Sequence, residues 1–112
     1  MPDFTLPHIG AQAALRLAAS GDAVLIDLRK PQATASSGQL VRGAERRDPF
    51  VFSHDDPLTA DPRPLIVFCV HGHEVSQFAC ALLLLHGRDA RYVEGGFEAL
   101  KAAGAPLRTI ES

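Results

Sequence analysis

Between Phe68 and Gln77 the chain reads FCVHGHEVSQ, gathering a thiol, two imidazoles and a carboxylate around one glycine. A cysteine in such company can act as a nucleophile once deprotonated, or as a metal ligand beside the histidines. The apolar run LIVFCV, residues 65–70, stops there, and a helical pattern starts at about Val75. Cys69 thus stands where a strand gives way to a helix-opening loop, the ligand side of open α/β sheets. Amides at a helix N-terminus lack partners within the helix, and the helix dipole favours negative charge there. Both effects stabilise a thiolate. Gly72 permits the tight backbone curvature that turns successive amides into an anion cradle. A lone cysteine at a strand end is otherwise a small buried hydrophobe; the loop and helix that follow Cys69 favour chemistry. Cys80, mid-helix beside Phe78 and the leucines, reads as a packing residue.

Cys69, His71 and His73 also spell C-x-H-x-H, which suits zinc or copper. The loop must curl to open the helix, however, and no further Cys or His cluster completes a four-ligand set. No metal and no cofactor are expected.

The elements that position this loop follow from the apolar pattern. AQAALRLAAS at 11–20 is a helix of strong formers, with Gly21 after it. AVLIDL at 23–28 and LIVFCV at 65–70 are short continuous apolar runs, as in strands buried on both faces. A helix follows from roughly Val75 to His86, with Val75, Phe78, Ala79, Leu82 and Leu83 on one face. ARYVE at 90–94 is a third strand, and Gly95-Gly96 leads into a short helix over 97–103. Residues 30–63 are rich in turn signals, with a short helix expected near Pro49–His54. Strands alternating with helices predict an α/β fold, a mostly parallel central sheet flanked by helices on both faces.

At 112 residues the chain is expected to form a single domain, 1–112, with the 46% apolar and 21% charged content of an ordinary globular protein. A net charge of -2 gives no footprint for nucleic acid or anionic membrane. MPDFTLPHIG is not a secretory signal, the longest apolar run (78–85) is too short for a bilayer, and two cysteines make no disulfide framework. A reduced, cytoplasmic protein is expected, as a monomer or homodimer.

The runs CVHGHEVSQ and LLLLHGRDARYVEGGFEALKAAGAPL resemble the second half of a rhodanese domain. LIDLR at 25–29 is similar to that family's strand ending in Asp-x-Arg, and GQLVRGA at 38–44 to its Gly-His-Ile-Pro-Gly-Ala turn. The resemblance spans about residues 10–107. It implies a rhodanese-like fold and sulfur transfer. Cys69 would take a sulfane sulfur from a small anionic donor such as thiosulfate, hold it as a persulfide, and pass it to cyanide or to a thiol, a protein thiol included. Val70, His71, Gly72, His73, Glu74 and Val75 would form the substrate loop, with Asp27 and Arg29 in support.

Several positions depart from the family pattern. The loop reads one residue longer than the usual six, the size found in related phosphatases and arsenate reductases, but Val75 stands where those need an arginine. An oxyanion would lose its bidentate partner there. The loop has no Lys or Arg, and Glu74 should point outwards or pair with an arginine, for which Asp-x-Arg makes Arg29 a candidate. His71 or His73 could stabilise the thiolate or bond the donor's oxygens; equally, both could be plain loop residues. Gln39, Val41-Arg42 and Leu100 read as packing variants, and Asp27 as a structural acid at a strand end. Two other readings remain open, a non-catalytic or regulatory rhodanese-like module and an arsenate- or chromate-related stress protein.

Overall fold

The computed structural model describes residues 6–110. Two four-residue strands, β2 (Val24–Asp27) and β5 (Leu65–Phe68), form its centre, and every residue in both is buried. Around them come β1 (His8–Ile9), α1 (Ala11–Ala19), α2 (Pro31–Ser37), β3 (Gln39–Val41) and β4 (Glu45–Arg46). The second half adds α3 (Glu74–Leu85), β6 (Ala90–Val93), α4 (Gly96–Ala102) and β7 (Leu107–Thr109). The main sheet runs β1-β6-β5-β2-β4 with every pairing parallel, and β3 and β7 form a separate antiparallel pair. The fold is mixed α/β.

Side chains alternate across a strand, so the continuous apolar runs feed two cores at once. Leu25, Ile66 and Phe68 pack with Ala14, Phe97 and Leu100 of α1 and α4 on one face. Val24, Ile26, Leu65 and Val67 pack with Ala79, Cys80 and Leu83 of α3 on the other. Among the described residues no helix is long and apolar enough to cross a membrane.

The expected elements around the loop are present, with two corrections. The helix expected near Pro49–His54 is a turn built on Asp48, whose carbonyl accepts from Val51 and Phe52 N–H at 3.0 and 2.9 Å and whose carboxylate accepts from Phe50 N–H. The helix of the region lies earlier, at α2, where Pro31 occupies the first turn, as its fixed φ and missing N–H permit.

The second correction is a rotation of α3. Its buried residues are Ser76, Ala79, Cys80 and Leu83, while Phe78 is 72% exposed. EVSQFACALLLL is apolar on nearly every side, so the pattern could not choose a face. The sheet takes the face with smaller side chains near its start.

Candidate active site

Asp27 pairs in register with Phe68, and Leu28 N–H donates to the Phe68 carbonyl at 2.8 Å. The next residue, Cys69, therefore emerges at the carboxyl end of the central strand, flanked by β2 and β6. The chain needs only Val70 to His73 to reach α3, because Glu74 and Val75 are already its first residues. The sequence opens the helix at about Val75 while counting Glu74 and Val75 in the substrate loop; the helix starts one residue earlier. The N-terminus of α3 is thereby brought one step closer to the thiol.

Two glycines make so short a turn possible. Gly72 has φ +75°, and a Cβ there would lie 2.6 Å from the Val93 carbonyl oxygen and 2.8 Å from Gly95 N. Gly96 packs from the other side, where a Cβ would collide with the carbonyl oxygen of Cys69. This close approach lets Phe97 N–H donate to the Cys69 carbonyl at 2.7 Å and Glu98 N–H to the Val70 carbonyl at 3.2 Å. The Gln77 amide group adds a bond to the Gly72 carbonyl at 3.0 Å. The carbonyls of Cys69, Val70 and Gly72 are thus engaged away from the sulfur, and the Gly72 and His73 N–H groups reach it.

Cys69 is buried, retaining 7% exposure, and its Sγ lies 3.2 Å from the Ser76 hydroxyl. Burial alone pushes the thiol pKa up; the Ser76 hydroxyl and the amides of Ser76, Gly72 and His73 outweigh it, and the net shift is downward. Cys80 has burial and no compensation, which pushes it up to about 11. Both cysteines are free, and the surroundings favour the thiolate at Cys69 and oppose it at Cys80.

Ser76 was not singled out in the sequence. Its signal is a hydroxyl seven residues after the cysteine, in the first turn of the following helix, where it can turn back over the loop.

A pocket of about 410 Å³ opens over the sulfur, walled by Val70, His71, His73, Glu74 and Val75 from the loop side and by Lys30 opposite. His71 and His73 are exposed at its rim, their ring centroids 6.4 Å apart. Among the described residues no three His, Cys, Asp or Glu side chains gather as a metal-binding group.

Arg29 also borders this pocket, but its guanidinium is committed elsewhere. Nε and Nη2 donate to the Asp27 carboxylate at 2.8–3.1 Å, Nη1 to Ser37 Oγ and Nη2 to the Gln39 carbonyl. The charged end lies 3.9 Å from the centre of the Phe97 ring. The suggested Arg29–Glu74 pair does not form; Glu74 is exposed and makes no ion pair among the described residues. Asp27 accepts from Arg29 N–H at 3.0 Å as well as from the side chain. The pair ties the end of β2 to α2 and β3, and through Phe97 to the helix that holds the cysteine loop.

Comparison with known proteins agrees with this geometry. The rhodanese-like domain model matches residues 10–103. The thiosulfate sulfurtransferase GlpE of two Pseudomonas putida strains is 38% identical over 97 residues, covering 85% of this chain and 84% of the relative. Among solved structures, the rhodanese-like domain of Anabaena sp. Alr3790 superposes with a TM-score of 0.74 at 21% identity, over 95% of this chain and 81% of that one. The thiosulfate sulfurtransferase of Pseudomonas aeruginosa gives 0.76 at 17% identity, over 96% of this chain and 20% of that one. These two share the fold. A cysteine cradled at the end of a central parallel strand, a family match along most of the chain and a relative of this identity lead to one assignment: the chain belongs to the rhodanese-like domain family.

Proposed function

We propose that the protein is a sulfurtransferase that carries a sulfane sulfur on Cys69. The observation that carries this reading is the surrounding of Sγ, where one hydroxyl and three amides favour the anion without a neighbouring base. The Cys69 thiolate attacks the outer sulfur of a donor such as thiosulfate. The donor's S–S bond breaks, sulfite leaves with the electron pair, and a Cys69 persulfide remains. An acceptor, cyanide or a thiolate, then attacks the outer sulfur of the persulfide and expels the Cys69 thiolate. Charge is conserved in both steps, and the thiolate that enters the first step and is released by the second meets donors already in place around Sγ. Neither step calls for a metal or an organic cofactor. The relative named thiosulfate sulfurtransferase supports the same choice of donor.

The oxyanion-transfer alternative has less support. It needs a free guanidinium over the loop, and the nearest one, Arg29, is bound to Asp27. The test is thiocyanate production from thiosulfate and cyanide. Turnover by the wild type and none by Cys69→Ser supports sulfur transfer. Equal rates in the two proteins, or none in either, would overturn it.

A further inference from the structure

A second pocket, of about 380 Å³, adjoins the one over Cys69. The two share Lys30, Glu74 and Val75 as walls, and Val75 directly precedes the serine that touches the sulfur. Apart from Lys30 and Glu74, every residue lining the second pocket is apolar, with Phe50, Phe52, Phe78 and Leu82 prominent among them. Its walls are built features. Phe50 is held out by the Asp48 turn, 78% exposed, with the Lys30 ammonium 5.9 Å from its ring centre. Phe78 is 72% exposed because α3 turns its smaller face to the sheet. Large aromatic side chains left in water on both sides of a groove are costly unless something covers them.

Thiosulfate and cyanide leave this groove unused, being small anions with no apolar part. The two charges at the junction are of opposite sign, so the groove offers no field that selects a dianion. Its volume falls within the range of small-molecule sites. Resting on the sulfurtransferase reading, we propose that the groove binds the apolar group of an organic thiol, alkyl or aryl, that accepts sulfur from Cys69. The acceptor's sulfur, deprotonated, attacks the outer persulfide sulfur. The S–S bond to Cys69 breaks, Cys69 leaves as the thiolate, and the acceptor departs as an organic persulfide. Phe50 and Phe78 are then specificity-determining residues.

The experiment loads Cys69 with sulfur from thiosulfate, removes the excess, and follows loss of the extra sulfur by intact mass. Ethanethiol and pentanethiol, close in acidity, serve as acceptors at low concentration. Each buried methylene is worth about fourfold. Pentanethiol has three more methylenes than ethanethiol, so burying two of them in the open groove makes its discharge about tenfold faster or more, and Phe50→Ala and Phe78→Ala should each pull that ratio towards one. Both side chains are exposed, so neither substitution opens the core. A ratio near one in the wild type, or an unchanged ratio in both variants, overturns the proposal. So does a ratio near one in a protein whose dimer, seen by sedimentation, Phe78→Asp dissolves, since a second copy then fills the groove. A chain that never loads overturns the sulfurtransferase reading as well, and does so before any thiol is added. One that loads and discharges to cyanide, yet ignores thiol chain length, overturns the groove alone.

Discussion

The Ser76 hydroxyl stands 3.2 Å from Cys69 Sγ, and the two side chains come from opposite ends of the turn joining β5 to α3. Ser76 is fully buried. The bond is strongest when the sulfur is charged, as a hydroxyl donates better to an anion than to a thiol. The serine therefore acts on the acidity of Cys69, the sulfur proposed above as the carrier.

Ser76→Ala removes a donor to a charged acceptor, an interaction worth about 1.5–3 kcal/mol, so the pKa of Cys69 is expected to rise. Because the lowered pKa of Cys69 reflects a favoured thiolate, its alkylation rate rises with pH and levels off above that pKa. The expected result is a profile displaced to higher pH in Ser76→Ala, with a slower rate at neutral pH and a similar plateau. Iodoacetamide kinetics across the pH range measure it.

Cys80 should stay silent in the same experiment. Its thiol is fully buried and pushed up to about 11, so it remains protonated at neutral pH. Native protein is expected to take up one alkyl group, at Cys69, with a second appearing only on unfolding. Peptide mapping of the labelled protein distinguishes the sites.

The Asp27–Arg29 pair makes a prediction about stability. Both side chains are almost wholly buried, at 2% and 1% exposure, so removing one leaves the other without its counter-charge. Asp27→Ala is expected to cost about 3–5 kcal/mol in urea denaturation. Arg29→Lys should also destabilise, since an ammonium cannot reproduce the bonds to Asp27, Ser37 and Gln39 together with the contact on Phe97.

Gly72→Ala and Gly96→Ala address the cradle itself. A Cβ at either position meets backbone of the opposing turn, and both residues have positive φ, at +75° and +58°. The turns must separate, and the bonds from Phe97 and Glu98 N–H to the loop carbonyls are lost with them. Each variant is expected to lose sulfur transfer by at least about a hundredfold, against the tenfold scale of losing one 1.4 kcal/mol interaction. Thiocyanate assays alongside circular dichroism separate this loss from unfolding.

Much of this organisation can be read from the chain. Leu65–Phe68 and Val24–Asp27 declare themselves because a strand buried on both faces needs an unbroken apolar run. Cys69 and Gly72 follow, since the chemistry of a strand end before a helix is local. The two-residue strands β1 and β4 are too short to show any period, and PQATASS of α2 has no apolar stripe; only Thr34 is buried. The turn at Asp48 forms from side-chain and backbone bonds that mimic the start of a helix. Tertiary neighbours decide the rest. Neither the choice of Asp27 over Glu74 as partner of Arg29 nor the Phe97 and Glu98 bonds to the loop can be inferred from spacing. The exposed aromatic side of α3 is equally hidden, because a helix apolar all round offers the sheet several faces.

Intact-protein mass after thiosulfate treatment tests the central claim most directly, with wild type, Cys69→Ser and Cys80→Ser compared side by side. A Cys69 carrier predicts a gain of one sulfur atom in the wild type and in Cys80→Ser, removed by cyanide, and no gain in Cys69→Ser. Absence of the gain in the wild type, or its persistence in Cys69→Ser, would contradict the account.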